Sequence, residues 1–579
     1  MKRIISLLLV VSMLLGCILV FASCEPKDNG AEISVYLGES VYDFDPTAYY
    51  TDSNAELVMS LIWEPLFYVN ENGKLENGVA KGYDVDEEER EIVIELRETY
   101  WSDSTRVTAA DFVFAWRDLI LEPNNANPAA ALLYDIENAK EIKTGSKSIY
   151  DFGAVASGMY ELTVKYREGA DYMQLLRNLA SVATSPARED IINVYNQGFW
   201  SKAINTAVTN GAFKISDIDA ASFTLARNAG YHQSPDVSNP TKIVVPNKLV
   251  TFASTEGDFA VSYNDIVEKT VFYIGDASLA DRAANKANAI VADDLSTYTY
   301  VFNTENPLFA NEKVRQALSL AIDRNVIVQA ITFGKAATGF LPDAVLDTAT
   351  GASFRKEALI SASAKTAEAE ALIASVDFAG LDKSFTLSVN DDEASLAIAA
   401  LVETAWESLG FSVTVEALST VKSKVKDFSS KTDMEILDSE IQATVIEASR
   451  GSRDFDVIAV DWQMYSTDAF VALAAFAAAY SGCGVDFEKD KILTSFGGWE
   501  STEYEALIDK AYTASSKVVR SEALHSAEQL LVESACIVPI VYNQTFAFVS
   551  TELSGVVFDG FGNVVFTKVK QKNYEDYLN

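Results

Sequence analysis

The sequence predicts an α/β protein built from two or three interwoven domains. With 579 residues, the chain is too long for a single hydrophobic core. Segments with the two-residue period of strands and segments with the spacing of amphipathic helices follow one another in mixed order. The sequence has no linker rich in Pro, Gly and Ser that is long enough to separate independent domains. The chain must therefore cross between domains.

The first predicted elements are a strand, a loop and a helix. The segment AEISVYLGE alternates as a strand, and Pro46 sets a turn in the loop that follows. Leu57, Leu61 and Ile62 recur at helical spacing, and this helix is expected to stop before Pro65. The turn NENGK then lies between two strands.

Two paired strands, a turn and a helix are predicted next. The segment EIVIEL alternates apolar and polar residues as a strand does. Thr108 is a good N-cap with Asp111 three positions later, so a helix is expected from Ala109 to Leu121. Further along, Asn210 and Gly211 occupy a tight backbone position before a predicted hairpin.

The second half of the chain shows clearer periodicity. The segment NEKVRQALSLAIDRNVIVQAI has the spacing of one amphipathic helix. Another helix is expected to end at Gly410 and to lead into a strand. The segment FDVIAVDW reads as a buried strand, and two helices follow it. The last strand is expected to break and resume around Pro539.

Charge and missing motifs exclude several classes of function. The chain carries 83 acidic and 46 basic residues and a net charge of −37, which argues against nucleic-acid binding. It contains no nucleophile elbow, no phosphate-binding loop and no HExxH helix. His232 and His525 are its only histidines, and both are expected to be structural. We therefore predict no enzyme activity, no metal site and no cofactor.

The N-terminus predicts export. A positive MKR precedes a continuous apolar run, Ile4 to Ala22, and the polar segment CEPKDNG follows. This pattern resembles a bacterial lipoprotein signal in which residues 1–23 are removed and Cys24 is lipidated. Two acyl chains would then hold a tether of residues 24–30 at the membrane. Cys17, in LLGC, and an uncleaved membrane anchor are the alternatives.

Two further cysteines remain in the mature chain. Cys483 and Cys536 could pair in an oxidising compartment, whereas two lone buried thiols are the simpler account. Between the predicted strands, residues 418–452 are charged, rich in Ser and Thr and without strong periodicity. We interpret them as an insertion that carries a surface helix.

The ordered segments resemble a known family. The most specific are ELRETYWSDSTRVTAADFVFAWRDLI and YTYVFNTENPLFANEKVRQALSLAIDR, and FDVIAVDW follows in the expected order. Together they resemble the solute-binding lipoproteins of oligopeptide ABC importers, the peptide/nickel-type extracellular binding family. The resemblance covers nearly the whole mature chain.

This resemblance implies a two-lobed, type II periplasmic-binding-protein-like α/β fold. Two crossover strands, near Asp294–Tyr298 and near Asn543–Thr545, would hinge the lobes. An extra α/β domain would be inserted in the first lobe. The implied domains are a first lobe of residues 31–68, 206–293 and 545–579, an inserted domain of 69–205, and a second lobe of 294–544.

The resemblance also implies how a ligand is held. An extended peptide would lie between the lobes and pair its backbone with strand edges. Lobe closure would bury the peptide, and an ABC permease in the membrane would recognise the closed form of this monomer. A peptide-sensing receptor without transport is the main alternative. A binding protein for an oligosaccharide or a blocked peptide is another, and an extracellular glycosidase is a third that no acidic pair in the sequence supports.

The sequence departs from the family at the charged anchor. In peptide-binding relatives, an Asp three positions after the Trp of this strand pairs with the ligand's amino group, and an Arg lies three positions before it. Here those positions hold Tyr465 and Ala459. An ammonium buried without a counter-charge costs several kcal/mol, so another acid must substitute or the amine is not recognised. The candidate ligand-binding residues are Tyr49, Tyr50, Asp52, Asp461, Trp462, Gln463, Tyr465 and Asp468.

Overall fold

The computed structural model describes residues 32–37, 44–47, 53–195, 200–202, 206–218, 222–234, 246–253, 271–274, 277–418, 454–482, 485–486, 491–492 and 497–572. Several sequence predictions lie outside these ranges: the signal and tether with Cys17 and Cys24, the loop residues Tyr49, Tyr50 and Asp52, nearly all of the 418–452 insertion, and Cys483. A search of the described helices found none long and apolar enough to cross a membrane.

The strands of the described ranges are, in chain order, β1 (Glu32–Leu37), β2 (Phe67–Val69), β3 (Leu75–Asn77), β4 (Ala80–Asp86), β5 (Glu91–Leu96), β6 (Ala154–Gly158), β7 (Glu161–Lys165), β8 (Phe213–Ile218), β9 (Ser222–Arg227), β10 (Lys248–Ala253), β11 (Val271–Ile274), β12 (Ala289–Phe302), β13 (Lys335–Ala336), β14 (Ser384–Asn390), β15 (Ser412–Leu418), β16 (Val457–Gln463), β17 (Val485–Asp486), β18 (Lys491–Ile492), β19 (Ile537–Val549), β20 (Leu553–Ser554) and β21 (Lys570–Gln571).

The α-helices of the same ranges are α1 (Ser53–Ile62), α2 (Ala109–Phe114), α3 (Ala139–Lys143), α4 (Tyr172–Asn178), α5 (Glu189–Tyr195), α6 (Leu279–Asn285), α7 (Glu312–Ala321), α8 (Arg324–Ile331), α9 (Thr366–Ala374), α10 (Glu393–Glu407), α11 (Ala469–Ala474), α12 (Thr502–Thr513) and α13 (Lys517–Ser534). Short helical turns of other types lie between them, among them a π-helical turn (Ala115–Ile120) and a 3-10 turn (Pro128–Leu133).

One large mixed sheet organises the molecule. Its strands lie in the order β15-β14-β16-β12-β19-β11-β1-β10-β9-β8, and β13 pairs with β19 outside this path. The half that holds β11, β1, β10, β9 and β8 corresponds to the predicted first lobe. The half that holds β16, β14 and β15, with helices α7 to α13, corresponds to the predicted second lobe.

The strands β12 and β19 cross from one half of the sheet to the other. They run antiparallel, and one end of the pair lies beside β11 whereas the other lies beside β16. Their register breaks in the middle, where Asp293 pairs with Gln544 and Thr297 pairs with Tyr542. Three residues, Asp294–Ser296, therefore face Asn543 alone. A break in the ladder between two continuous stretches is the geometry of a hinge.

A separate antiparallel sheet, in the order β4-β5-β7-β6, forms the centre of the inserted domain. Helix α2 packs against β6 and β7 of this sheet, and Trp101 and Trp116 are fully buried. The nitrogen of the Trp116 ring donates to the carbonyl of Thr184 at 2.8 Å, so its polar group is satisfied. The residue bounds of the three domains stay a prediction.

Most predicted elements are confirmed by the structure. Helix α2 begins at Ala109, and both the backbone nitrogen and the hydroxyl of Thr108 donate to Asp111, at 2.8 and 3.0 Å. The helix continues as a π-helical turn to Ile120, one residue short of the predicted end. Gly410 has a φ of +87° after α10, as expected of a helix C-terminus.

The single helix predicted between residues 312 and 331 is wrong. The structure has two helices, α7 and α8, because Ile322 adopts an extended conformation between them. The Asp323 side chain accepts a hydrogen bond from the backbone of Val326 and caps α8. Arg324 follows as a buried residue that donates to the carbonyl of Pro539 at 2.7 Å. Tertiary contact with β19 therefore overrides a periodicity that favours a continuous helix.

The predicted break at Pro539 is also corrected. Strand β19 is continuous from Ile537 to Val549, and Pro539 pairs with Thr299 at a register shift next to Tyr298. A bulge accommodates a proline within a strand, because the ladder hydrogen bond that proline lacks is not required there.

Candidate ligand-binding site

Strand β16 presents different chemistry on its two faces because side chains alternate along a strand. Ile458, Val460 and Trp462 belong to the large apolar core that joins both lobes and the inserted domain. Val457 and Ala459 belong to the core of the second lobe. Asp461 follows on this second face, but near the strand end, where the core stops and solvent begins.

Asp461 is exposed, although it lies on a central strand. Asn543 of β19 donates to its carboxylate at 2.8 Å and to the hydroxyl of Ser296 at 2.9 Å. Protein atoms crowd the carboxylate although water reaches it, and this partial desolvation raises the pKa of Asp461 to about 6. The negative charges of Asp392 and Asp294 raise the pKa further.

Three more carboxylates gather where the strands cross. Glu56 of α1 is buried and accepts hydrogen bonds from Gln463 of β16 and from Asn563, the latter at 3.4 Å. Asp559 accepts hydrogen bonds from the backbone of Phe561 and of Asn563, at 2.8 and 2.9 Å. We call Glu56, Asp294, Asp461 and Asp559 the hinge carboxylates.

Loss of hydration raises the pKa of each hinge carboxylate. Desolvation raises the pKa of Asp294 to about 6 and that of Asp559 to about 7. Desolvation also raises the pKa of Glu56 well above its usual value, and the charges of Asp294 and Asp559 add to this effect. Acids that raise one another's pKa values lie in a region of negative potential.

The hinge carboxylates lack a cationic neighbour within the described part of the chain. None of the ion pairs found there, with N–O distances up to 4.0 Å, includes one of the four. The described residues also contain no group of three or more His, Cys, Asp or Glu side chains arranged to hold a metal ion. The site therefore holds four carboxylates whose charge no ion pair of the described residues neutralises.

The aromatic candidates next to Asp461 are largely buried. Trp462 is 7% exposed, stacks on Phe476 at 4.6 Å between ring centroids and meets the edge of Phe340 at 5.4 Å. Tyr465 is also buried in the large apolar core. The ring partners of Trp462 thus both come from the predicted second lobe, and the role of Trp462 and Tyr465 in ligand binding stays a prediction.

The structure places Asp468 away from solvent, in contrast to Asp461. Asp468 is fully buried, caps helix α11 at Phe470 and forms an ion pair with Arg520 at 2.9 Å. Because Arg520 already neutralises the charge of Asp468, we favour Asp461 as the ligand anchor, and a role of Asp468 in ligand binding stays a prediction.

Sequence reasoning found only part of this site. It named Asp461 and Gln463, and it placed the crossovers near Asp294 and Asn543, although it gave neither residue a role. Glu56 and Asp559 were missed because they are about 500 positions apart in the chain. No local pattern connects such residues, and only the return of the C-terminal segment to the first lobe brings them together.

A large sheet divided by two crossing strands, with polar groups at the crossing, defines the class of two-lobed, hinged binding proteins. Residues 74–482 match the family model of bacterial extracellular solute-binding proteins, family 5, middle region. The chain belongs to this family. The family consists of substrate-binding proteins that are extracellular or periplasmic.

Individual relatives agree with this assignment. The chain is 26% identical to the oligopeptide-binding protein OppA of Bacillus subtilis over 539 residues, which is 89% of this chain and 88% of that protein. The structure of the pheromone receptor PrgZ matches with a TM-score of 0.77 at 22% identity, over 94% of this chain and 100% of that one.

Two structures of the murein peptide-binding protein MppA of Escherichia coli also match, both at 21% identity over 94% of this chain. One has a TM-score of 0.73 over 98% of its chain, and the unliganded open form has 0.57 over 97%. The predicted fold class is thus confirmed: a two-lobed type II fold with an inserted α/β domain and two crossover strands.

Proposed function

We propose that this protein captures oligopeptides between its two lobes and delivers them to an ABC importer. Membership of the solute-binding family and similarity to OppA of Bacillus subtilis support this proposal. The observation that most supports it lies where β12 and β19 cross. There, a break in strand register lies next to the solvent-exposed carboxylate of Asp461.

Asp461 is the proposed anchor for the ligand's cationic group. In peptide-binding relatives the anchor is an Asp at the position that Tyr465 occupies here, and Asp461 is proposed to replace that Asp. Three observations support Asp461: it is exposed, it lies among carboxylates without a cationic neighbour in the described chain, and Asn543 orients it. A charge-assisted hydrogen bond from an ammonium group would neutralise it.

The remaining candidates complete the proposed site. Trp462, Gln463 and Tyr465 are proposed to wall it from the second lobe. Tyr49, Tyr50 and Asp52 are proposed to face it from the first lobe. Strand edges in the cleft would pair with the extended peptide backbone.

The structure is proposed to have closed lobes. The higher similarity to one MppA structure than to the unliganded open form supports this, since both structures are of the same protein. A ligand that fits only the closed arrangement would shift the open–closed equilibrium by its difference in affinity. The permease would then distinguish loaded from empty protein by shape.

Membrane attachment is a further part of the proposal. The mature protein would begin at Cys24 and be held by its lipid on the outer face of the membrane, with residues 24–30 as tether. Globomycin-sensitive processing and mass spectrometry of the mature N-terminus would test this. Processing at Cys17 or an intact N-terminus would contradict it.

A second candidate function is peptide sensing without transport. The similarity to the pheromone receptor PrgZ favours this candidate. Peptide uptake in a strain that lacks the protein would separate the two functions, because unchanged uptake supports sensing and lost uptake supports delivery.

A melting experiment tests the proposed function directly. A ligand that binds only the native state at one hundred times its Kd adds about 2.7 kcal/mol of stability. A peptide mixture should therefore raise the melting temperature, and native mass spectrometry should identify the bound mass. Stabilisation by an oligosaccharide mixture instead, or turnover of a chromogenic glycoside, would contradict the proposal.

A further inference from the structure

The inserted domain and the second lobe meet through cations and tyrosines. The ammonium group of Lys140 lies 4.1 Å from the ring centroid of Tyr480 and donates to its hydroxyl at 3.0 Å. The guanidinium carbon of Arg167 lies 3.9 Å from the ring centroid of Tyr512. We call Lys140, Arg167, Tyr480 and Tyr512 the closure seam.

Three members of the closure seam, Arg167, Tyr480 and Tyr512, are held in place by a further contact. Asp135 forms an ion pair with Arg167 at 2.5 Å. The hydroxyl of Tyr480 donates to Asp509 at 2.7 Å, and the hydroxyl of Tyr512 donates to the carbonyl of Tyr134 at 3.0 Å. Cationic side chains, tyrosine rings and carboxylates thus contact one another where the inserted domain meets the second lobe.

The closure seam is largely withdrawn from water. Tyr480 is 1% exposed and Tyr512 is 7% exposed, and burial lowers the pKa of Lys140. Cation–π contacts are strongest where the cation has lost part of its hydration. Opening the seam would expose both rings, and this cost adds to the loss of the two contacts.

Other contacts continue the same boundary. The backbone nitrogen of Asn127 donates to the carbonyl of Gly482 at 2.7 Å. Lys517 of the second lobe forms an ion pair with Asp171 of the inserted domain at 2.8 Å. The second lobe is covalently joined to the rest of the protein through the crossing strands β12 and β19. Rotation about these strands would therefore break the seam and separate the part of the apolar core that spans this boundary.

We propose that the closure seam is a latch: Lys140 and Arg167 hold the closed form and thereby set how slowly the ligand leaves, although neither residue is among the candidate ligand-binding residues. This inference rests on the proposed function in one respect, that closure buries a ligand. It assigns to the inserted domain a role in the open–closed equilibrium. Residues that act only through closure change the dissociation rate more than the association rate.

The double variant Lys140→Met/Arg167→Met tests the latch. Its matched control is Lys74→Met/Lys81→Met, which removes the same charge from exposed positions of the same half of the chain. Zero-length carbodiimide cross-linking of Lys517 to Asp171, located by mass spectrometry, counts closed molecules without any ligand. We expect the cross-link yield to fall about tenfold in the seam variant and to stay unchanged in the control.

A second variant and a second measurement keep the latch testable if the double variant is destabilised. Tyr480→Phe keeps the ring but loses the hydroxyl contacts, so we expect a smaller fall in yield with an unchanged melting temperature. With a bound peptide, the dissociation rate should rise about tenfold in the double variant. Equal cross-link yields in wild type, seam variant and Tyr480→Phe would overturn the latch. If no peptide binds wild type, the proposed function fails, but the cross-linking result still decides the latch.

Discussion

Two aspartates on either side of Trp462 illustrate what decides the role of a single residue. Asp461 precedes it on the strand and remains exposed, whereas Asp468 follows six positions later and is buried against Arg520. As aspartates, the two side chains have the same pKa when they are fully hydrated. Because side chains alternate along a strand, Asp461 points toward the open end of the second-lobe core. Asp468 points inward, where it caps a helix.

The proposed role of Asp461 predicts a pH-dependent affinity. Its carboxylate, with a pKa of about 6, must be ionised to bind an ammonium group, so affinity should rise from pH 5 to pH 7 and then level off. Asp461→Asn should weaken binding of a peptide with a free amino group about tenfold at pH 7. It should also make the pH dependence shallower, as measured by isothermal titration calorimetry.

The matched control for this prediction is Asp454→Asn, an exposed acid close to the same strand. It removes the same charge and should leave both affinity and pH dependence unchanged. A peptide with an acetylated N-terminus should bind wild type and Asp461→Asn equally. If Asp461→Asn binds the free-amine peptide as tightly as wild type, Asp461 is not the anchor.

Asp559 predicts a pH effect on stability. Its folded pKa of about 7 lies above the unfolded value of about 3.9, so the folded state retains a proton that the unfolded state releases. The free energy of unfolding therefore falls from about pH 4 to pH 7 through this group. Asp559→Asn should be about 1–2 kcal/mol more stable than wild type at pH 8 and equal to it near pH 4. Urea unfolding at both pH values measures this difference, and a variant less stable at pH 8 would contradict it.

At the scale of elements, long-range contacts decided where helices and strands end. The periodicity of residues 312–331 favours one helix, yet Asp323 caps a second one and Arg324 binds the backbone of β19. Strand β19 passes through Pro539 because a bulge absorbs it. Local propensity is a weak signal wherever a buried side chain contacts another element.

The junction between α1 and β8 predicts a strict need for glycine. The backbone nitrogen of Gly211 donates to the carbonyl of Ile62 at 2.8 Å, and a Cβ at this position would lie 2.6 Å from that oxygen and from the nitrogen of Trp63. Gly211→Ala should lower the free energy of unfolding by about 1–3 kcal/mol. Gly82→Ala, where no atom lies within 4 Å of the new Cβ, is the control. Equal denaturation curves for the two variants would contradict the prediction.

At the scale of the whole molecule, the proposed function depends on one sheet that belongs to both lobes. The strands β12 and β19 keep their pairing on each side of the break at Asp294–Ser296, so the lobes can rotate as rigid bodies. The hinge carboxylates lie at or next to this break.

Lobe rotation predicts a change in shape on binding. A saturating peptide should reduce the radius of gyration in small-angle X-ray scattering relative to the ligand-free protein. Amide hydrogen exchange should slow along α11 and the 3-10 turn Pro128–Leu133, which face each other across the boundary, but not in the paired centre of β12. Identical scattering with and without a peptide that calorimetry shows to be bound would contradict the closing mechanism.

The sequence by itself determined the interwoven α/β architecture, the order of most elements and the strand that carries Asp461 and Trp462. Those features follow from periodicity, caps and turns, which act over a few residues. Only the tertiary structure decided which acids meet at the hinge, that Asp468 is neutralised by Arg520, and that Lys140 and Arg167 lie on tyrosines of the other lobe. Such contacts join residues hundreds of positions apart, and their energies depend on burial and distance, which no local pattern contains.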